Sequence, residues 1–270
     1  MFSVSIVLYK HRPEEILPLL KELQAAASVQ RVWLVDNAGC QWAEQLDTLT
    51  KMRYIKSDRN GGYGYGHNQA IRVETGECSH HIVCNPDIRV EPEALDRLHA
   101  LVSSLPQALF MPNVVYPDGA RQELCKLLPT PMNLFARKFV PSLAKKLDHR
   151  YLLRDADYSK RFFAPSLSGC FMVCNFQALR AVDGFDERYF MYLEDIDLSR
   201  RLAVHGGTMF VPDVTVVHEF QKESFKNPVL ARAHIKSAAQ YFSRWGWIFD
   251  LERSKLNRKC LQELPRVEHL

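Results

Sequence analysis

Short apolar runs alternate with stretches of helical spacing along the first half of the chain, and a polar cluster follows each run. Ser3–Leu8 and Arg31–Val35 predict strands, and Pro13 opens a helix between them whose apolar face is Ile16, Leu20 and Leu23. A weaker strand at Met52–Lys56 precedes a glycine-rich loop, a short helix from about His67 and a strand at His80–Cys84. Strands alternating with helices predict a parallel sheet covered on both faces. Beyond the middle, Cys170–Cys174 reads as a strand, Phe176–Val182 as a helix and Asp183-Gly184-Phe185-Asp186 as a turn. A helix opens at Glu194-Asp195, a strand-like run ends at His218, and a last helix spans about Leu230–Trp245.

The polar clusters recur at one level. Tyr9-Lys10-His11 follows the first strand, Asp36-Asn37 the second, Asn60-Gly61-Gly62 the third and Asn85-Pro86-Asp87 the fourth. Ligands of open α/β sheets bind outside the carboxyl ends of the strands, so all four clusters are expected along one crevice.

Composition narrows the classes. With 270 residues, 47% hydrophobic and 24% charged, the chain can bury a sizeable core, which excludes global disorder. Seven scattered cysteines without a CxxC pair argue against a zinc site or a disulfide framework and for reduced thiols. No charged leader precedes the first strand and no run reaches ~18 uncharged apolar residues, so a cytoplasmic protein is expected. The net charge is only +4, yet residues 137–161 hold eight Lys/Arg against three Asp/Glu, and 222–270 hold ten against five. The basic charge is segregated, and no nucleic-acid recognition motif accompanies it, so no nucleic acid is expected as a partner.

Several motifs carry alternative readings. Asp87, with Asn85 two residues earlier, can offer oxygen ligands to Mg2+ or Mn2+, or simply form an Asn-Pro-Asp turn. The NGGYGYGHN segment (Asn60 to Asn68) offers backbone amides to a pyrophosphate, or is a loop with aromatic anchors; it fits neither a dinucleotide fingerprint nor a P-loop. Asp36-Asn37 can accept from a base or ribose, or cap the segment from Gln41. Glu194, Asp195 and Asp197 suit a helix dipole, while one of them facing the crevice can serve as general base. Arg200 and Arg201 make Asp197 an ion-pair partner within that helix. His218 by itself reads as an ordinary core or surface histidine.

The ordered set VSIVLYKH, VDNAG, NGGYGYGHN, NPD, SGCFMV, GFDERYFMYLEDIDLSRRL and VVHE resembles the family 2 inverting glycosyltransferases of GT-A fold. Within them it is most similar to bacterial rhamnosyltransferases of lipopolysaccharide and O-antigen assembly. The resemblance runs from Phe2 to about Ser224 and implies a nucleotide-sugar donor, a divalent cation and single displacement at the anomeric carbon. By position it implies that Asp36 binds the base, with Tyr9, Lys10 and Asn37 around it. Asn60, Gly61, Gly62 and Asn68 would approach ribose and diphosphate, and Asn85 and Gly169 complete the donor pocket. Asp87 would be the metal-bound aspartate, Asn85 standing where the first aspartate of a DXD-type site is common, with His218 holding metal or diphosphate. Asp195 would be the catalytic base, Glu194 the alternative. Phe220-Gln221, where a glycine is often found near Ser224, departs from the pattern.

The expectation is therefore an α/β, Rossmann-like, mostly parallel GT-A domain over 1–250, with a nucleotide-sugar half at about 1–125, an acceptor half at 126–250 and a basic tail at 251–270. The expected reaction moves L-rhamnose from dTDP-L-rhamnose to a hydroxyl of a cell-surface or lipid-linked glycan. The alternatives are transfer from a UDP-sugar and a non-catalytic glycan-binding module on the same fold. A sugar nucleotidyltransferase would carry glycine directly after the first strand, and Tyr9–Pro13 has none. Residues 137–161 interleave basic and apolar side chains, including Lys145, Lys146 and Arg150. That mixture suits peripheral contact with the anionic inner face of the cytoplasmic membrane, or an acceptor carried on a lipid diphosphate or an anionic lipopolysaccharide core, or equally an ordinary solvated helix face.

Overall fold

The computed structural model describes residues 1–134, 148–219 and 228–267. The first half contains β1 (Phe2–Tyr9), α1 (Pro13–Ala25), β2 (Val29–Ala38), a 3-10 helix (Gln41–Thr48), β3 (Met52–Lys56), α2 (Tyr63–Val73) and β4 (His80–Cys84). Next come β5 (Ile88–Arg89), α3 (Pro92–Ser103), β6 (Leu109–Val115), β7 (Cys125–Lys126), β8 (Ser166–Leu167) and β9 (Phe171–Asn175). The chain closes with α4 (Phe176–Ala181), α5 (Glu194–His205), β10 (Thr208–His218), α6 (Pro228–Trp245) and α7 (Leu251–Glu263).

One sheet of order β3-β2-β1-β4-β9-β6-β10-β5 runs through both halves, and β7 pairs with β8 beside it. Strands β3, β2, β1 and β4 are parallel, as the helical crossovers require. β9 enters antiparallel to both β4 and β6, and β5 closes the edge antiparallel to β10.

β1 is buried on both faces, so its alternation does not mark a solvent side. Ser3 and Ser5 are fully buried and find polar partners: His81 Nδ1 lies 2.6 Å from Ser3 Oγ, and His81 Nε2 and His67 Nδ1 lie 2.8 and 2.7 Å from Ser5 Oγ. Burial holds both imidazoles neutral, pushing His81 down to about 3.

α2 starts four residues before the position expected from the sequence, because Gly64 and Gly66, which read as loop, lie inside it. A Cβ on Gly66 would come within 2.7 Å of Val7 Cγ2, so glycine lets this helix sit directly on β1. The stretch 251–270, expected as a tail, contributes α7, which buries Arg253, Leu256 and Cys260. Residues 135–147, with Lys145 and Lys146, lie outside the described residues, as do Phe220, Gln221 and Ser224. Tyr151 and Leu152 are core, and Arg154, Lys160 and Arg161 pair with Glu123, Asp157 and Asp213.

Candidate active site

The parallel register sets Leu8 beside Asp36 and Asp36 beside Lys56, which brings the first three polar clusters to one sheet end. Asp36 is buried; both its oxygens accept from Cys40 N at 3.1 Å, and Oδ2 also accepts from the Tyr54 hydroxyl at 3.1 Å. Asp36 therefore ties the end of β2 to the turn that leads into the 3-10 helix. Burial together with Asp36 pushes the Tyr54 hydroxyl up to about 12, so it stays a donor. Tyr9 is exposed at the mouth, with Lys10 Nζ 5.2 Å from its ring centroid. Asn37 donates to the Gly62 carbonyl at 2.9 Å, and Asn60 Oδ1 accepts from Gly62 N.

The glycine segment is closely packed on one side. Gly62 has φ +98, and a Cβ there would stand 1.9 Å from Phe190 O, which already accepts from Tyr63 N at 3.0 Å. The entry to α2 is thus closed by the 183–193 segment. Asn68 is also engaged by the protein. Its Oδ1 accepts from Phe185 N at 2.8 Å, and its Nδ2 donates to Phe185 O and Glu187 Oε1, both at 2.8 Å. This buried amide ties α2 to the 183–187 turn through both hydrogens of Nδ2 and one lone pair of Oδ1.

The other expected residues converge from distant parts of the chain. β5 pairs with the end of β10, His218 opposite Ile88, and Glu219 N donates to Asp87 O at 2.9 Å. His218 Nε2 consequently lies 3.2 Å from Asp87 Oδ1. Its other nitrogen, Nδ1, lies 2.9 Å from Gln122 Oε1, while Gln122 Nε2 donates to the His218 carbonyl at 2.9 Å. Burial disfavours charge on this ring, but the Asp87 carboxylate and Cys170 outweigh it and raise His218 to about 10. Asn85 stands between this pair and Tyr63, 3.4 Å from His218 Nε2 and 2.9 Å from the Tyr63 hydroxyl. The single Tyr63 proton goes to the nearer Gly169 carbonyl at 2.6 Å. A protonated Nε2 cannot accept, so the network is best satisfied with the Asn85 amide turned over and its oxygen toward His218.

Gly169 links this cluster to the helix start. Its N–H donates to Asp195 Oδ2 at 2.9 Å, and Asp195 Oδ1 accepts from Ile196 N at 2.8 Å. The two residues before α5, Tyr192 and Leu193, have φ +70 and +64, a conformation costly for side-chain-bearing residues. Glu194 is buried, and burial, then the neighbouring Asp195, raises its carboxyl well above the ordinary range. Asp197 is indeed an ion-pair partner within the helix, through Arg201, and it also holds Arg244 and Trp245 Nε1. Arg200 instead makes a buried two-pronged pair with Asp250, at 2.6 Å for each contact.

A divalent cation fits the Asp87 end. Asp87 Oδ1 is buried and accepts no hydrogen bond apart from its contact with His218. Among the described residues no three His, Cys, Asp or Glu side chains converge into a complete cage. A carboxylate and an imidazole would leave most of the coordination shell to phosphate oxygens and water, as such ions prefer. Tyr63 and Gln122 have no motif of their own. Tyr63 lay inside the glycine segment, and nothing in the sequence marks Gln122.

This sheet order, with its polar clusters gathered at the strand ends, is the GT-A fold of nucleotide-sugar-dependent glycosyltransferases. The S. aureus TarS 1–349 structure in complex with UDP-GlcNAc superposes with TM-score 0.60 at 14% identity, over 96% of this chain and 71% of that one. The mannosyltransferase PcManGT from Pyrobaculum calidifontis, in complex with GDP-Man and Mn2+, does so with TM-score 0.57 at 14% identity, over 94% and 77%. In sequence the chain is similar to rhamnosyltransferases. It is 29% identical to the N-acetylglucosaminyl-diphospho-decaprenol L-rhamnosyltransferase of Mycobacterium tuberculosis (strain CDC 1551 / Oshkosh), over 76% of this chain and 72% of that one. It is 28% identical to rhamnosyltransferase WbbL of Escherichia coli (strain K12), over 89% and 93%. No family model matches the chain. The resemblance read from the ordered motifs agrees with both comparisons.

Proposed function

We propose that this chain is an inverting, metal-dependent rhamnosyltransferase that moves L-rhamnose from dTDP-L-rhamnose to a hydroxyl of a lipid-linked or lipopolysaccharide glycan. The observation that carries the reading is the continuous chain of contacts Gln122–His218–Asp87 and His218–Asn85–Tyr63–Gly169–Asp195. It joins a cation-type carboxylate to a helix-start carboxylate in one crevice. The rhamnosyl and lipid-linked specificities come from the sequence relatives.

In this reading residues 1–125 bind the nucleotide, with Asp36 accepting from the base and Tyr9 covering it, while 126–250 receive the acceptor. Asp87 and His218 hold Mn2+ or Mg2+, which supplies charge stabilisation for the departing diphosphate. To act as a ligand there, His218 would have to offer Nε2 without its proton. Asp195 accepts the proton of the acceptor hydroxyl as that oxygen bonds to the anomeric carbon and the bond to the diphosphate oxygen breaks. Each Asp195 oxygen is oriented by one backbone amide and keeps a second lone pair for that proton. Burial raises the Glu194 carboxyl, which favours its protonated form and makes Asp195 the better acceptor.

The test incubates the chain with Mn2+, a panel of dTDP- and UDP-sugars and a polyprenyl-diphosphate N-acetylglucosamine acceptor. Transfer of rhamnose with inverted anomeric configuration is expected. Preference for a UDP-hexose would replace the donor, and donor binding without any transfer would leave a glycan-binding module.

A further inference from the structure

The turn between α6 and α7 holds large apolar side chains in water. Ile248, Phe249 and Leu251 are 78%, 90% and 88% exposed, and Trp247 beside them is 45% exposed. Single exposed apolar residues are common, but a contiguous run marks a contact surface. The turn is also firmly built. Gly246 N donates to Phe242 O at 2.8 Å, and the Trp247 ring packs 5.2 Å from that of Phe242. Asp250, between Phe249 and Leu251, points inward to the buried Arg200 pair and caps α7 by accepting from Arg253 N at 2.9 Å. The fold thus fixes the one polar side chain of the tip inside and its apolar neighbours outside.

We infer that this tip inserts into an anionic bilayer surface and seats the enzyme where its acceptor resides. The inference rests on the lipid-linked acceptor of the proposed function. Charge supports a lipid partner: Lys255, Arg258 and Lys259 are exposed and follow Leu251 along one face of α7, at spacings of four, seven and eight residues. Apolar side chains at the tip with cations beside them match acyl chains beneath phosphate headgroups, and tryptophan is favoured at that boundary. A second copy is a poor fit. A stable protein interface needs about 800 Å² from each partner, and two-fold pairing of this short convex tip would set these cations against their own copies. The tip is also tied to the reaction site. Arg200 and Asp197, which hold Asp250 and Trp245, lie on the helix that begins at Glu194-Asp195.

The test uses the full chain without nucleotide sugar, and vesicles of equal parts phosphatidylglycerol and phosphatidylcholine against phosphatidylcholine alone. Binding to the anionic vesicles is expected, with tryptophan emission shifted to the blue and quenched by brominated acyl chains. The Ile248→Ser/Phe249→Ser/Leu251→Ser variant should partition roughly tenfold less or worse. Lys255→Glu/Arg258→Glu should lose the preference for anionic lipid. Both variants should retain transfer to a water-soluble acceptor analogue, and absence of that transfer in the parent chain would count against the proposed function alone. Equal partitioning of parent and triple variant, or no vesicle binding by the parent, overturns the inference. A concentration-dependent dimer lost in the triple variant, without vesicle binding, would assign the tip to a second copy.

Discussion

His218 Nε2 stands 3.2 Å from Asp87 Oδ1 because a two-residue strand, β5, pairs antiparallel with the last residues of β10. The pair is the part of the site most directly open to experiment. Replacing Asp87 by alanine removes the acidic ligand without touching the core. We expect donor affinity in the presence of Mn2+ to fall about tenfold or more, with the circular dichroism spectrum unchanged. Calorimetry returning the parent affinity would remove Asp87 from the site.

Gln122 clamps His218 from behind, through both its ring and its carbonyl. Gln122→Leu frees the ring to rotate and is expected to weaken Mn2+ binding ~10–100-fold, the usual effect of losing an outer hydrogen-bond partner. Gln122→Glu should restore much of the affinity. Titration followed by Mn2+ paramagnetic resonance checks both variants.

The helix-start carboxylates separate by role. Asp195→Asn should leave donor binding intact and lower turnover ~10²–10⁴-fold, whereas Glu194→Gln should cost little. The reverse outcome in single-turnover assays would move the base to Glu194.

Glu194 also gives the protein a pH dependence. Its carboxyl is raised in the folded state, so folding favours the protonated form. This contribution is fully present below the ordinary glutamate range and is lost as pH rises toward the raised folded value. Glu194→Gln should therefore unfold at higher urea than the parent at pH 9 and differ less at pH 5. Parallel shifts at the two pH values would contradict the buried neutral carboxyl.

Gly62→Ala tests the closed entry of α2. The positive φ alone costs ~1–3 kcal/mol in a residue with a side chain, and the Phe190 carbonyl must move to admit the methyl group. Lower stability in urea is expected together with weaker donor affinity, since Asn37 and Asn60 both contact Gly62. Unchanged stability would mean that the 183–193 segment yields freely.

The sequence by itself determined the strands of the nucleotide half, the helices at 176 and 194 and the level at which Asp36, Asp87 and the glycine segment sit. These are local properties: periodicity, turn residues and the rule that polar clusters end parallel strands show within a few positions. The ordered motifs also carried the family resemblance, including Asp195 and His218. Tertiary structure alone decided what each motif does. Gly64 and Gly66 read as loop until α2 is seen to lie against Phe185 and Val7, because a missing Cβ has meaning only against a neighbour. In the sequence nothing joins Asn68 to Phe185, more than a hundred residues on, which takes both ends of its amide. Ser3 and Ser5 are polar residues within an apolar run, and only the fold brings His81 and His67 against them. Gln122 and the Phe249 tip carry no local signature, since their roles come from hydrogen bonds and exposure that exist only once β10 and α7 are in place.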